Sequence, residues 1–123
     1  MAKKVFIVDD DPFILDMYVV KFKEAGFALE TATDGKEAIA AIKKSIPDIV
    51  LLDVIMPLVD GFDVLQKLKE DAATKKIPVV LLTNLGQKED TEKGFQMGAV
   101  DYIVKAHFTP SEVVEKVKKL LKA

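Results

Sequence analysis

The 123-residue sequence contains no cysteine and no arginine. Without cysteine, disulfide bonds and thiolate metal sites are excluded. Without arginine, every basic side chain apart from one histidine is a lysine, so no planar guanidinium is available to bind a phosphate in a bidentate manner. Any phosphate contact must therefore use a lysine ammonium, a hydroxyl or the backbone.

The sequence also lacks an apolar run long enough to span a membrane. Its first residues, Met1 to Lys4, lead into a strand-like segment and show neither a long apolar region nor a cleavage motif, so we expect no signal peptide and a cytoplasmic location. The formal net charge of −2 argues against general nucleic-acid binding. Half of the residues are hydrophobic and 31% are charged, which is typical of a globular domain.

Apolar, strand-like runs alternate five times with amphipathic stretches. The predicted strands are Lys4 to Val8, Ala28 to Ala32, Ile49 to Leu52, Val79 to Thr83 and Asp101 to Val104. The predicted helices are Asp11 to Ala25, Gly35 to Ser45, Gly61 to Asp71, Lys88 to Met97 and Pro110 to Lys122. This alternation favours a parallel sheet covered by helices on both faces. Because the pattern fills the sequence, we expect residues 1–123 to form a single domain without an effector domain.

Carboxylates follow two of the predicted strands at the point where each strand ends. Asp9 and Asp10 come directly after the first strand, and Asp53 ends the apolar run of the third. In open α/β sheets, ligands bind at the carboxyl ends of the strands. We therefore predict one shared acidic pocket of the kind that holds a hard divalent cation. Crowding of three carboxylates should raise the pKa of at least one of them.

A hydroxyl and a lysine are expected at the same edge of the sheet, because Thr83 ends the fourth strand and Lys105 follows the fifth. Together with the acidic pocket they form a set suited to phosphoryl transfer. A divalent ion held by carboxylates neutralises phosphoryl oxygens. The hydroxyl and the lysine bind the remaining oxygens, and one carboxylate is left to act as the nucleophile.

In the order and spacing of these residues, the sequence resembles the response regulator receiver domains of two-component signalling over its whole length. The intervals are 43 residues from Asp10 to Asp53, 30 from there to Thr83, and 22 from there to Lys105. Tyr102 matches the aromatic switch position of the family. The resemblance implies a flavodoxin-like (βα)5 three-layer sandwich, with a five-stranded parallel sheet in the order 2-1-3-4-5.

The resemblance also implies roles for these residues. Asp53 would accept a phosphoryl group from a phosphohistidine of a sensor histidine kinase or a histidine phosphotransfer protein. Mg²⁺, with Mn²⁺ as an alternative, would be bound by Asp10, Asp53 and the backbone carbonyl of Ile55, with Asp9 acting mainly through water. Lys105 would pair with a phosphoryl oxygen. The protein would be a signalling switch and not an enzyme with an external substrate.

In the implied switch, Thr83 moves toward the phosphoryl group and Tyr102 turns inward into the vacated space. This repacking would alter the surface formed by the fourth helix, the fifth strand and the fifth helix, to which an unidentified downstream protein would bind. We expect no direct nucleic-acid binding, no membrane association and a monomer, with dimerisation on phosphorylation as an alternative.

The sequence departs from the family pattern after Lys105 and after Thr83. Ala106 stands where the family usually has a proline with a cis bond, and a cis non-proline bond costs ~3–4 kcal/mol, so we predict a trans peptide there. Asn84 is larger than the small residue usual after Thr83 and would narrow access to the phosphoryl group. A degenerate receiver that binds partners without phosphorylation is therefore an alternative interpretation.

Two positions that family members use to tune dephosphorylation are apolar in this sequence, Ile55 and Leu85. Neither side chain can orient a water molecule, so we predict slow autodephosphorylation, on a scale of hours rather than seconds. Ile55 also stands where aspartyl phosphatases and mutases carry their general acid, which argues against that class. A flavodoxin-like electron carrier would need a loop rich in Gly, Ser or Thr after the first strand, where this sequence has three aspartates.

The first predicted helix is unusually apolar, since eight of the ten residues from Phe13 to Phe22 are hydrophobic. A single buried stripe does not require so many. Two interpretations are open: some of these side chains are exposed beside the acidic pocket and dock a helical kinase domain, or the helix packs more tightly against the fifth helix. The pair Asp11-Pro12 is typical of a helix start.

Overall fold

The structure is a computed structural model that describes residues 2–83 and 88–122. Its strands are β1 (Lys4–Val8), β2 (Ala28–Ala32), β3 (Ile49–Asp53), β4 (Val79–Thr83) and β5 (Asp101–Val104). Its helices are α1 (Pro12–Glu24), α2 (Gly35–Ser45), α3 (Gly61–Glu70), α4 (Lys88–Gln96) and α5 (Pro110–Lys122), and a 3₁₀ turn covers Lys105–His107. All ten predicted elements are confirmed, with bounds within one residue of the prediction.

The five strands form one parallel sheet in the order β2-β1-β3-β4-β5, which confirms the predicted fold. The register aligns the carboxyl ends of the central strands. Val8 pairs with Leu52, and Asp53 pairs with Leu82. The residues that follow β1, end β3 and end β4 therefore lie side by side at one edge of the sheet.

Two hydrophobic layers cover the sheet, one on each face. Residues that alternate along each strand point to opposite layers, as expected for a pleated sheet. The first layer joins the sheet to α2, α3 and the end of α4, and includes Phe6, Val50, Leu52, Leu65, Leu68 and Leu81. The second joins it to α1 and α5, and includes Ile7, Phe22, Leu51, Leu82, Ile103 and Val117. Because β3 is buried on both faces, its last residue is held by the core.

Side-chain caps fix where the helices around the sheet edge begin. The carboxylate of Asp11 accepts a hydrogen bond from the backbone N–H of Phe13 at 2.9 Å, as the sequence predicted for the start of α1. Asp60 and Asp63 form a reciprocal capping box at the start of α3. These caps satisfy N–H groups that a helix start leaves unpaired, and they set the direction in which each helix leaves the site.

Lys69, near the end of α3, fastens the loop that leads to β4. Its ammonium donates hydrogen bonds to the carbonyl oxygens of Lys75, at 3.0 Å, and Ile77, at 3.2 Å. Its side-chain stem runs beside Gly98, where a Cβ would lie only 3.2 Å from Cε of the lysine. Burial lowers the pKa of Lys69. The end of α3 is thus hydrogen-bonded to the loop that leads to β4, and its lysine packs beside the turn that follows α4.

Within the described part of the chain, none of the helices combines the length and the apolar character needed to cross a membrane.

Candidate functional site

A cavity of about 260 Å³ opens at the carboxyl edge of the sheet. The structure brings together there six of the residues that the sequence predicted for the site: Asp9, Asp10, Asp53, Ile55, Thr83 and Lys105. Asp11 and Ile14, from the start of α1, complete the lining. Strands β1, β3 and β4 and the turn after β5 thus each place a side chain around one small volume.

Three carboxylates form the acidic part of this cavity. Asp9, Asp10 and Asp53 each offer an oxygen, and these oxygens all lie within 4.8 Å of one another. Asp9 and Asp53 are buried, whereas Asp10 is exposed at the mouth of the cavity. Clustered carboxylate oxygens are the ligands that hard divalent cations prefer. The residues present therefore fit a Mg²⁺-type ion better than a soft or nitrogen-bound metal.

Lys105 reaches the floor of the cavity from the turn after β5. Its ammonium nitrogen lies 2.6 Å from Oδ2 of Asp9 and 3.4 Å from Oδ2 of Asp53. Burial opposes its charge, but the hydrogen bond to Asp9 and the attraction of Asp53 outweigh burial and raise the pKa of Lys105. The peptide bond to Ala106 is trans, as predicted. The lysine thus reaches both carboxylates without a cis bond after it.

Asp9 is fixed through both of its carboxylate oxygens. Oδ1 accepts a hydrogen bond from the backbone N–H of Asp11 at 2.9 Å, and Oδ2 accepts one from Lys105 at 2.6 Å. Because protein donors already engage both oxygens, Asp9 is less free than Asp10 to bind an ion directly. This arrangement fits the expectation that Asp9 acts on a metal mainly through water.

Asp53 carries a raised pKa, as the sequence predicted for at least one carboxylate. Burial at the end of β3 is the largest cause, the positive charge of Lys105 opposes it, and Asp9 and then Asp10 add smaller increases, so that the pKa of Asp53 rises to about 7. Mutual repulsion, which the sequence suggested as the cause, is therefore secondary to burial. The reason is that β3 has both faces covered up to its last residue.

Gly61, the first residue of α3, packs against the backbone at Asp53. Its N–H donates a hydrogen bond to the carbonyl oxygen of Val54 at 2.7 Å. A Cβ at this position would lie 2.7 Å from Cα of Val54 and would overlap the carbonyl oxygen of Asp53. The sequence analysis identified Gly61 only as the start of the third helix. The structure shows that the absence of a side chain here lets α3 support Asp53.

Comparison with known proteins decides the family. The profile of the response regulator receiver domain matches residues 5–118. The chain belongs to this family. Among curated relatives, this receiver domain is 40% identical over 119 residues to the DNA-binding dual master transcriptional regulator RpaA of Synechocystis, covering 97% of this chain and 49% of that protein. The receiver domain spans about half the length of the first curated relatives it matches.

Solved structures support the same assignment. A putative response regulator from Chloroflexus aurantiacus superposes on this receiver domain with a TM-score of 0.91 and 33% identity, over 100% of both chains. The chemotaxis protein CheY4 of Vibrio cholerae superposes with a TM-score of 0.90 and 31% identity, over 97% of this chain and 98% of the other. The family is thus shown by sequence and by fold.

The two switch residues expected in this receiver domain lie on neighbouring strands. Thr83 is buried and lines the cavity, in register with Val104. Tyr102 is half-buried against the first hydrophobic layer, which joins the sheet to α2, α3 and the end of α4. Its ring lies 3.4 Å from the position that a Cβ of Gly94 would occupy. Burial, and secondarily Asp90, raises the pKa of Tyr102. The inward turn of the Tyr102 side chain on phosphorylation stays a prediction.

Asn84 and Leu85, for which the sequence made predictions, lie outside the residues that the structure describes.

Tyr18 in α1 was not foreseen as a neighbour of the receiver site. Its side chain is buried in the second hydrophobic layer, which joins the sheet to α1 and α5. Burial raises the pKa of its phenol, Lys105 partly offsets that rise, and Asp9 and Asp53 add to it. The phenol therefore lies within electrostatic reach of the site. The spacing of four residues between Tyr18 and Ile14 would place both side chains on the same face of the helix. Because both lie within a continuous apolar run, this spacing did not distinguish Tyr18 in the sequence.

Helix α1 of the receiver domain has one buried and one exposed apolar face, and docking of a kinase domain on the exposed face stays a prediction. Leu15, Tyr18 and Phe22 are buried in the layer shared with α5. On the other side, Phe13 is 81% exposed, and Met17 and Val20 are each 52% exposed. These three form an exposed stripe at helical spacing that begins beside the acidic cavity.

Proposed function

We propose that this receiver domain accepts a phosphoryl group on Asp53 from a phosphohistidine, in a reaction that depends on Mg²⁺. The observation that carries the proposal is the meeting of three carboxylates and the Lys105 ammonium in one cavity. The donor would be a sensor histidine kinase or a histidine phosphotransfer protein. We place the domain in the cytoplasm, as a switch rather than an enzyme that turns over an external substrate.

In the proposed step, a carboxylate oxygen of Asp53 forms a bond to phosphorus while the bond between phosphorus and the histidine nitrogen breaks. The electron pair of that bond stays on the nitrogen, and the donor leaves as neutral imidazole when its other nitrogen carries a proton. Asp53 must be deprotonated to attack, and the ammonium of Lys105, 3.4 Å from its Oδ2, favours that form. Lys105 is also placed to bind a phosphoryl oxygen.

A divalent ion fits the same cavity. When bound, Mg²⁺, or Mn²⁺ in its place, supplies positive charge that neutralises phosphoryl oxygens. Asp10, Asp53 and the backbone carbonyl of Ile55 would hold it, and Asp9 would orient a bound water. The exposed position of Asp10 leaves this side of the cavity open to solvent.

Phosphorylation would be read by a downstream protein at the surface of α4, β5 and α5. Thr83 would move toward the phosphoryl group, and Tyr102 would turn inward. At Gly94 the backbone of α4 passes close to the side chains of Leu81 and Tyr102. A shift of either side chain would therefore displace the helix. We propose a monomer, with dimerisation on phosphorylation as the alternative, and no direct nucleic-acid contact by this domain.

Intact-mass measurement after incubation with acetyl phosphate tests the proposal. We expect one phosphoryl mass gain with Mg²⁺, none with EDTA and none in Asp53→Asn. Asp16→Asn, an exposed aspartate of α1, serves as the control and should be phosphorylated like the original chain. Absence of the gain in the original chain with Mg²⁺ present would count against the proposal and favour a degenerate receiver.

The phosphorylated form should decay slowly, with a half-life on the scale of hours, because the apolar Ile55 at the rim of the cavity cannot orient a water molecule. Ile55→Gln should shorten that half-life by about tenfold, equivalent to a barrier lowered by about 1.4 kcal/mol, whereas Ile55→Leu should leave it unchanged. Loss of the phosphoryl mass over time in Mg²⁺ gives both rates. Decay of the original chain within seconds would refute this prediction.

A further inference from the structure

Tyr18 of α1 is the one residue with a polar side-chain atom among the described residues of the second hydrophobic layer. The other members of that layer are aliphatic residues and phenylalanines. Tyr18 is only 3% exposed, and burying a hydroxyl costs free energy unless it finds a hydrogen-bond partner. Phenylalanine would fill almost the same volume without that cost. Packing therefore explains the ring of Tyr18 but not its hydroxyl.

The position of Tyr18 along α1 places it next to the acidic cavity. Ile14 lies four residues earlier, on the same face of the helix, and lines the cavity. Phe22 lies four residues later on that face and is fully buried. Tyr18 thus stands one helical turn from the cavity wall, between the lining of the cavity and the core.

The charges of the site act on the phenol. Burial raises the pKa of Tyr18, the positive charge of Lys105 opposes that rise, and Asp9 and then Asp53 add to it. Lys105 therefore acts on the phenol more strongly than either carboxylate. Because the interaction between charges weakens with distance, this order indicates that the ammonium of Lys105 is the nearest of the three charges.

Lys105 needs a further hydrogen-bond acceptor during phosphoryl transfer. Its ammonium carries three protons, and in the resting chain it lies 2.6 Å from Oδ2 of Asp9 and 3.4 Å from Oδ2 of Asp53. To bind a phosphoryl oxygen, the ammonium must turn away from Asp53 while Asp9 keeps one of its protons. The side chain is only 9% exposed, so water has little access to the proton that remains. A phenol oxygen beside it can accept that proton in a hydrogen bond.

We propose that Tyr18 is a positioning residue for phosphoryl transfer: its hydroxyl accepts a hydrogen bond from the ammonium of Lys105 as that ammonium turns from Asp53 to the incoming phosphoryl group. The inference rests on the proposed function and adds to it a residue that acts through Lys105. The phenol touches neither the phosphoryl group nor the metal ion, and it keeps its own proton throughout. Its contribution is to hold the flexible lysine side chain in the direction that the reaction requires.

The variant Tyr18→Phe tests this role, because it removes the oxygen and leaves the ring. We expect the initial rate of phosphorylation by acetyl phosphate, measured by intact mass with Mg²⁺, to fall about fivefold, the rate factor that one hydrogen bond supplies. Tm should stay unchanged or rise, because the resting chain loses only a buried hydroxyl. The Mg²⁺ concentration that gives half of the maximal rate should also stay unchanged, since no ligand of the ion is altered.

Val117→Ala is the control for packing. Val117 is fully buried in the same layer, on α5, and does not line the acidic cavity. Truncating it leaves a void in the layer, so this variant should have a lower Tm and the original rate of phosphorylation. The two variants thus separate a role in packing from a role in the reaction.

A second comparison tests whether Tyr18 acts through Lys105. Lys105→Met should slow phosphorylation, and adding Tyr18→Phe to it should slow the reaction no further, because the ammonium that the phenol positions is gone. Longer incubation with acetyl phosphate gives the rates of these slower chains. Equal slowing by Tyr18→Phe with and without Lys105 would show that the tyrosine acts in another way and would overturn the inference.

An unchanged rate in Tyr18→Phe would also overturn it, and so would a lower Tm without a change in rate, since the hydroxyl would then serve only the fold. An original chain that takes up no phosphoryl group from acetyl phosphate would instead overturn the proposed function.

Discussion

Between about pH 4 and pH 8, the metal-free protein is expected to lose on the order of 3–4 kcal/mol of unfolding free energy through Asp53 alone. Its carboxyl has a pKa of about 7 in the folded chain, against an ordinary value of 3.8 for an aspartate. Between these two values the folded state holds a proton that the unfolded state has released. Stability from this group is therefore greatest at low pH, falls as pH rises through the folded pKa, and is absent above it.

Urea unfolding in EDTA across this pH range measures the effect, with Asp53→Asn as the reference. Exposed carboxylates with lowered pKa, such as Asp71 and Glu112, act in the opposite direction in both proteins and cancel in the difference. The asparagine variant should gain stability relative to the original chain as pH rises. Parallel stability curves for the two proteins would contradict the raised pKa of Asp53.

Millimolar Mg²⁺ should restore the stability lost at neutral pH, because an ion that binds only the folded, deprotonated site shifts the equilibrium toward it. A rise of Tm on addition of Mg²⁺ at pH 8, much reduced at pH 5, is the expected result. The double variant Asp10→Ala, Asp53→Ala should lose the shift. If the double variant keeps it, the ion binds elsewhere.

Gly61→Ala is expected to disable the site more severely than any conservative change outside the cavity. The added methyl group would overlap the carbonyl oxygen of Asp53 and lie 2.7 Å from Cα of Val54, both of them backbone atoms that cannot rotate away. Either α3 or the end of β3 must move. Overpacking of this kind costs typically 1–3 kcal/mol. We also expect phosphorylation by acetyl phosphate to slow at least tenfold, because the nucleophile leaves its position beside Lys105.

Gly94→Ala provides the matched comparison for Gly61→Ala. Its Cβ would meet Cδ1 of Leu81 at 2.5 Å, a side-chain end that can adjust, and alanine gains about 1 kcal/mol of helix propensity. We expect a smaller change in stability and little change in the rate of phosphorylation by acetyl phosphate. Equal phosphorylation rates in the two variants would show that support of Asp53 by α3 does not matter.

The sequence predicted the architecture well because each level of information agreed. Continuous apolar runs such as β3 are typical of strands buried on both faces, and the alternation with amphipathic stretches predicted a parallel sheet covered by helices on both faces. The strand order came from the resemblance to receiver domains. Convergence of Asp9, Asp53 and Lys105 followed from topology alone, since parallel strands bring their carboxyl ends to one edge. These predictions needed no knowledge of side-chain packing.

Features that depend on close packing were not predictable in the same way. The clash that excludes a side chain at Gly61 depends on the distance between α3 and β3, which no local pattern encodes. The dominance of burial over repulsion at Asp53 depends on how completely helices cover the strand. The backbone of Leu58 has a positive φ, which leucine rarely adopts. Reasoning from residue propensities would therefore place a different residue at this position.

The contact made by Lys69 has a consequence for how the domain responds to ionic strength. Its ammonium binds the backbone carbonyls of Lys75 and Ile77, so the connection between the end of α3 and the loop that leads to β4 consists of hydrogen bonds and not of an ion pair. Mobile ions screen exposed pairs such as Lys43 with Asp71, at 3.0 Å, but they have little to screen at a dipolar acceptor. As salt rises, the contact between α2 and the end of α3 should weaken before the contact between α3 and the loop that leads to β4.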